Sequence, residues 1–374
     1  MALATRIRDS GPKKILALDG GGIRGMITVE ILACIEELLK KALPPDKQAS
    51  FVLADYFDFV AGTSTGAILA ACISLGMPVA RIRDFYVTSG ADMFDKACLL
   101  QKFRHKYTDE GLANKLKQEF KPDTTLGSDR IRTLLMMVMR NATTDSPWPI
   151  WNNPKAKYND RARHDCNLNL PLWQLVRAST AAPVYFPPEL VTLGEREFIF
   201  VDGGITPYNN PAFQAFLMAT TEPFHLNWPT GETQMLVVSI GTGTSPDANQ
   251  DLHPGEMNLL YNASSIPSAL MFAALTEQDF LCRVFGRCLA GHRLDREVGD
   301  LVGAKGPVSP KLFTYVRYNA ELSRLGLNDL GLSDIKPEDV QQLDSVQHID
   351  KLQRVGQAVA RFKVFPEHFA GFSV

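Results

Sequence analysis

Ten residues, Phe57-Asp58-Phe59-Val60-Ala61-Gly62-Thr63-Ser64-Thr65-Gly66, constrain this chain more than any other stretch. Their apolar first half reads as a short buried strand, and Gly62-Thr63-Ser64-Thr65-Gly66 has the form Gly-x-Ser-x-Gly. Ala67-Ile68-Leu69-Ala70-Ala71 then supplies a run of good helix formers. Strand, sharp turn and helix, in that order, are the setting of a nucleophile elbow, whose glycines let the backbone turn with nothing crowding the serine. The helix N-terminus behind Ser64 favours negative charge there. As a bare pentapeptide, the same residues also fit an ordinary Gly-Ser turn. Only the rest of the chain can choose between the two.

Upstream, Lys13-Lys14-Ile15-Leu16-Ala17-Leu18 reads as a buried strand ending at Asp19. Gly20-Gly21-Gly22-Ile23-Arg24-Gly25 follows, then a helix to about Lys41 with Ile27, Ile31, Ile35 and Leu38 on its apolar face. Gly20-x-Gly22-x-x-Gly25 fits a dinucleotide fingerprint literally. That fingerprint expects an acid closing a second strand about 20 residues on, where this chain has the loop Leu43-Pro44-Pro45-Asp46-Lys47. The glycine loop is better explained as an anion cradle, since successive amides at a helix N-terminus can aim at one oxygen as an oxyanion hole must. Arg24 either holds this loop, meets a phosphate-bearing substrate, or is an ordinary surface arginine.

Downstream, helices are expected over 78–91, 109–120, 171–179 and 268–285, and core strands over 132–140, 235–240 and 312–318. Closing helices are expected over 337–344 and 347–362. Ser146 to Asn153 reads as a loop whose tryptophans, Trp148 and Trp151, fill core or line a pocket for acyl chains. Phe198-Ile199-Phe200-Val201 reads as a strand ending in Asp202-Gly203-Gly204, where a carboxylate can reach across a sheet edge. Asn209-Asn210-Pro211 opens a helix to about Ala219, and Gly241-Thr242-Gly243-Thr244, a second glycine-rich loop, reads as a turn at a strand end or a phosphate-binding loop. Within 251–290, Met257, Leu259, Leu260, Tyr261 and Ile266 are either core or a mobile lid. Neither a repeat nor a linker interrupts the chain, so one domain over 13–366 is expected.

Composition narrows the partners. A net charge of -2 leaves no electrostatic case for binding a nucleic-acid polymer or for a broad basic membrane face. Six cysteines without a Cys-x-x-Cys pair, and charges where a signal peptide needs an apolar stretch, point to reduced thiols in the cytoplasm. No apolar run approaches the ~18 residues that span a bilayer.

Asp19-Gly20-Gly21-Gly22-Ile23-Arg24-Gly25, Gly62-Thr63-Ser64-Thr65-Gly66 and Asp202-Gly203-Gly204 stand in one order, with Arg177-Ala178-Ser179-Thr180-Ala181-Ala182-Pro183-Val184-Tyr185-Phe186-Pro187-Pro188 between the last two. Together they resemble the patatin-like phospholipases, which share a fold with the catalytic domain of cytosolic phospholipase A2. The motifs cover residues 15–212. The resemblance implies an α/β fold with three layers, α/β/α, around a mostly parallel sheet that residues 213–366 complete. It implies a Ser-Asp dyad, with Ser64 as nucleophile and Asp202 as base. The amides of Gly20, Gly21 and Gly22 would hold the oxyanion with Thr65 N–H as an extra donor. Gly62 and Gly66 would frame the elbow and Gly203 and Gly204 would follow the acid, while Arg24 and Gly25 are candidates for holding the loop or a substrate phosphate. Family members hydrolyse fatty acyl esters of phospholipids or related lipids through an acyl-serine, with no metal or other cofactor.

A Ser-His-Asp hydrolase would place a histidine after the acid. His225, His253, His292, His348 and His368 all follow Asp202, but none lies in a recognisable strand-end motif. A carboxylate with an ordinary pKa near 3.9 is a poor base for a serine hydroxyl. The dyad therefore requires a water-poor site that raises Asp202, or strong oxyanion stabilisation. A narrower resemblance, to the phospholipase effectors of antiphage systems, implies activation by a cyclic dinucleotide and attack on the host's phospholipid membrane from the cytoplasm. An acyltransferase, an unregulated esterase or galactolipase, and a storage or binding protein of the same fold stay open, as does assembly into a homo-oligomer.

Overall fold

The computed structural model describes residues 3–94, 110–183, 186–245, 253 and 259–373. Its strands are β1 (Lys13–Leu18), β2 (Phe59–Thr63), β3 (Leu134–Asn141), β4 (Ser146–Trp151), β5 (Glu189–Leu193), β6 (Arg196–Asp202), β7 (Met235–Ile240), β8 (Arg287–Ala290) and β9 (Thr314–Tyr318). They join in one sheet of order β5-β6-β3-β2-β1-β7-β9-β8, with β4 added on β3. The pairings from β3 through β2, β1, β7 and β9 to β8 are all parallel, whereas β4, β5 and β6 pair antiparallel.

Alternate residues of the central strands face two separate cores. Leu16 and Leu18 of β1 join Val60, Leu135, Met137 and Val238 on one side, and Ile15 and Ala17 join Phe59, Leu134, Met136 and Val237 on the other. The first side is covered by α1 (Gly25–Lys41), α2 (Thr65–Ser74), α3 (Val79–Phe94), α4 (Leu172–Ser179) and, from further along the chain, the amphipathic helix Ile349–Lys363. The second is covered by α5 (Ala212–Thr220) and α6 (Leu259–Phe285). This is the three-layer α/β/α arrangement. Burial on both faces explains why β3 and β7 read as continuous apolar runs without alternation.

The structure departs from expectation at several elements. Ser146 to Trp151 is a strand, hidden in the sequence by Pro147 and Pro149, which lack an N–H. Among the described residues β4 pairs with β3 alone, so its other edge asks nothing of those prolines. Trp151 packs against Phe59 and Phe224, and Trp148 against Phe198 and Phe200. The edge strands β5 and β8 are short and of mixed polarity, which left them no clear pattern. Helix α6 begins at Leu259, ahead of the expected 268, and the helix expected over 337–344 stops at Gln341. In the 251–290 stretch where a lid was expected, residues 251, 252 and 254–258, Met257 among them, lie outside the described residues, as do Asp109, Val184 and Tyr185.

Candidate active site

The site forms at a seam in the sheet. β4 lies along residues 136–141 of β3. A strand has two edges, so β2, registered with 134–138, and β6, registered with 139–141, must share the other edge tip to tip. Thr63 stands opposite Val138, and Asp202 opposite Met139. The chain after Thr63 finds its next sheet position already occupied and must turn out.

Ser64 makes that turn at φ 54 and ψ −123, a positive-φ conformation that costs a non-glycine residue energy. Gly62 and Gly66 make it feasible: a Cβ on Gly62 would strike the Gly66 carbonyl, and one on Gly66 would strike the Leu18 carbonyl at the end of β1. Behind the turn, all ten residues of α2 are buried. The Ser64 carbonyl accepts from Ala67 N–H at 2.8 Å, while its hydroxyl makes no capping bond.

That hydroxyl instead donates to Asp202 Oδ2 at 2.6 Å. Asp202 Oδ1 accepts the Gly204 amide, also at 2.6 Å, which fixes the carboxylate in place, and Gly203 packs over the Val138 carbonyl. Both dyad side chains are buried. Burial pushes the Asp202 pKa up to about 6, against the hydrogen bonds from Ser64 and Gly204 that lower it. A carboxylate raised this far is a stronger base than an exposed one, and it stands at transfer distance from a hydroxyl.

The glycine loop crosses the same end of the sheet. Its first amide does not point into the site: Gly20 N–H is donated to the Asn209 carbonyl at 3.2 Å, which removes it from the expected oxyanion donors. The amides of Gly21 and Gly22 have no partner among the described residues, and Thr65 N–H, in the first turn of α2, has no intrahelical acceptor. Thr242 Oγ1 donates to the Gly20 carbonyl at 2.8 Å, and Ile23 N–H to the Leu343 carbonyl at 3.0 Å. Arg24, just before Gly25 opens α1, donates through Nη1 to the Gln341 carbonyl at 3.1 Å while its Nε is buried without a partner. Burial pushes its pKa down to about 10 against the pull of Asp19, so it stays cationic at neutral pH. In this structure Arg24 ties the loop to the C-terminal segment.

Three participants had no site role legible in the sequence, although Asp19 heads the glycine motif. Asn209, expected only to open a helix, holds Gly20 through its carbonyl, and its buried Oδ1 lies beside Gly20 and Gly204 without a partner. Asp19 and Arg317 form a fully buried bidentate pair at 2.9 and 2.5 Å directly before the glycine loop. Arg317 also donates to Ser239 at 2.7 Å and lies 3.8 Å from Asp279, which Arg283 and Tyr315 bind in turn. Burial works against the charge on Arg317, yet Asp19 and Asp279 together push its pKa up. Arg317→Met leaves the buried Asp19 carboxylate without its cation, while Asp279 keeps Arg283, and is expected to cost roughly 3–5 kcal/mol of stability in a urea titration. A loss within the error of that titration would show that the pair does not brace the loop.

Among the described residues no histidine is bonded to Ser64 or Asp202. His368 pairs with the Tyr318 hydroxyl and His348 with Asp339, and burial holds the His292 ring at about 3, neutral. On the acid's side, Met271 of α6 packs near Gly204, flanked by the exposed Leu270 and Phe272.

A family model described as patatin-like phospholipase matches residues 16–216 of the 374. Patatin group J-1 of Solanum tuberosum is 31% identical over 250 residues, covering 62% of this chain and 61% of that protein. Patatin-like protein 4 of Arabidopsis thaliana is 31% identical over 255 residues, covering 62% and 59%. The chain thus spans about three-fifths of the length of these relatives. Among solved structures, VipD from Legionella pneumophila aligns with 91% of this chain and 66% of that one, at 13% identity and a TM-score of 0.36. The family match runs through more than half of the chain and takes in the glycine loop, the elbow and the acid together; the chain belongs to the patatin-like phospholipase family.

Proposed function

We propose that this protein is a serine lipid acyl hydrolase that cleaves fatty acyl esters of membrane phospholipids, at sn-1 or sn-2, on a Ser64–Asp202 dyad. The observation that carries the reading is the 2.6 Å hydrogen bond from Ser64 Oγ to a buried carboxylate whose pKa is raised. Ser64 Oγ attacks the ester carbonyl carbon as its proton passes to Asp202. The amides of Gly21 and Gly22, with Thr65 N–H, receive the oxyanion. The tetrahedral intermediate collapses to an acyl-serine, and Asp202 returns the proton to the departing lysolipid alkoxide. Water then attacks the acyl-serine and gives its proton to Asp202, which passes it to Ser64 Oγ as the fatty acid leaves.

Among the described residues no helix is long and apolar enough to cross a membrane, which suits an enzyme that meets the bilayer from one side, transiently, from the cytoplasm. The narrower resemblance extends the proposal to activation by a cyclic dinucleotide in a membrane-degrading antiphage role. Differential affinity of that ligand for the active state would set how far it shifts the equilibrium.

One assay tests the whole reading: fatty-acid release from vesicles of phosphatidylcholine, phosphatidylethanolamine and phosphatidylglycerol, and from a galactolipid, with and without cyclic dinucleotides. Release of free fatty acid is the expected result, and its dependence on the nucleotide tests the regulatory part. Transfer of the acyl group to an added alcohol in place of water would make the protein an acyltransferase. No turnover under any condition, with Ser64 unreactive to a fluorophosphonate, would leave a binding or storage protein.

A further inference from the structure

Ser179, the last residue of α4, is wholly buried, and its hydroxyl makes two bonds at the seam. It donates to the Val138 carbonyl at 2.5 Å and accepts the Ser64 amide at 3.0 Å. The geometry explains why both groups need it. Val138 is where β2 ends and β6 takes over on that edge of β3, and Ser64 turns out of the sheet there. A buried backbone amide that leaves a ladder must find an acceptor elsewhere. Two residues on, the Ala181 carbonyl accepts the Asp202 amide at 2.9 Å. Thr180, between them, anchors the turn to α4 by donating its hydroxyl to the Val176 and Arg177 carbonyls at 3.0 and 3.1 Å. A single buried turn therefore grips the backbone of both dyad members.

We propose that Ser179 is a positioning residue for the dyad, an inference that rests on the acyl-hydrolase reading. Its hydroxyl holds Ser64 in the positive-φ conformation that a serine does not favour, while the neighbouring Ala181 carbonyl holds Asp202. The spacing between the two is thereby set through the backbone. Loss of the hydroxyl releases the Ser64 amide and lets the elbow relax. Relaxation moves Oγ away from Asp202 and swings the next peptide, whose Thr65 N–H is an oxyanion donor. Misplacement of reacting groups by about 1 Å can cost on the order of a hundredfold in rate.

The test compares wild type, Ser179→Ala and Ser179→Thr in the full chain. It uses p-nitrophenyl butyrate hydrolysis, the rate of fluorophosphonate labelling at Ser64, and thermal melts. Alanine is expected to lower kcat and the labelling rate together, by roughly ten- to hundredfold, with KM changed by less than about twofold. Threonine, which keeps the hydroxyl, is expected to recover most of that rate. The inference is overturned if alanine keeps kcat within about twofold of wild type whatever its melting temperature, since the residue would then serve the fold alone. It is equally overturned if a well-folded threonine variant is as slow as alanine, because space and not the hydroxyl would then matter. Should alanine prevent folding, Ser179→Cys, of similar size but a weak hydrogen-bonding group, replaces it under the same two criteria. Failure of the acyl-hydrolase reading is separable, being judged on wild type alone: a wild type that neither labels nor hydrolyses overturns both.

Discussion

Ser64→Ala is expected to lower acyl-ester hydrolysis by roughly 10⁴- to 10⁶-fold and to abolish fluorophosphonate labelling, with little change in melting temperature. The size follows from chemistry: without Oγ no acyl-enzyme forms, and what survives is whatever binding and the oxyanion donors provide. The small structural cost follows from the contacts. The Ser64 hydroxyl makes one bond, to Asp202, whereas the turn itself is held by its backbone, through Ala67 and Ser179. The variant also takes from Asp202 a hydrogen bond that lowers its pKa, so the acid titrates higher than in the wild type. Hydrolysis near the wild-type rate, with labelling persisting elsewhere in the chain, would remove Ser64 from the mechanism.

Asp202→Asn is expected to cost roughly 10⁴-fold in kcat/KM, because an amide cannot take the Ser64 proton, and at the same time to stabilise the fold. The sign follows from the raised pKa. Burial lifts Asp202 to about 6, above its value in the unfolded chain, so the folded state holds the proton more tightly. Below about pH 4 both states are protonated, and the buried group carries no penalty. As pH rises through 6 the folded protein must keep a buried anion, at a cost of roughly 2–3 kcal/mol once ionisation is complete. Asparagine avoids that cost and can still accept the Gly204 amide. Its melting temperature should therefore exceed the wild type's at pH 8, with the difference closing on acidification to pH 4. The same ionisation gives wild-type kcat/KM an acid limb near pH 6, since only the ionised form accepts a proton. An asparagine variant less stable than wild type at pH 8, or a wild-type rate flat from pH 5 to 8, would contradict the assignment of Asp202 as the base.

The two expectations together describe a site that works at the expense of the fold. Ser64 sits in an unfavourable backbone conformation, and Asp202 is an anion, 5% exposed, with no cationic partner among the described residues. Both are sustained by their surroundings: α2 is buried from end to end, and Ser179 with the turn after it accepts the Ser64 and Asp202 amides. Arg317 pairs with Asp19 under the glycine loop. Strain and buried charge concentrate where chemistry is proposed, and the packed helices on both sheet faces offset them.

How much of this was legible depends on whether the signal is local. The Gly-x-Ser-x-Gly turn, the run of glycines and the acid before two glycines are readable because each answers to a steric rule a few residues long. The central strands and α1 are readable because burial on two faces, or on one helical stripe, imposes a pattern of composition. By itself the sequence determined the class of fold and which residues were candidates for the site. Only the tertiary structure decided how they meet. β4, masked by its prolines, takes one edge of β3 and forces β2 and β6 to share the other, so that Ser64 and Asp202 arrive tip to tip although 138 positions separate them. The same packing spends the Gly20 amide on Asn209, recruits Arg317 from β9 to Asp19, and brings Ser179 to the strained turn. These are pairings between distant segments, chosen by which buried donor lies within reach of which buried acceptor, and no run of neighbouring residues records that choice.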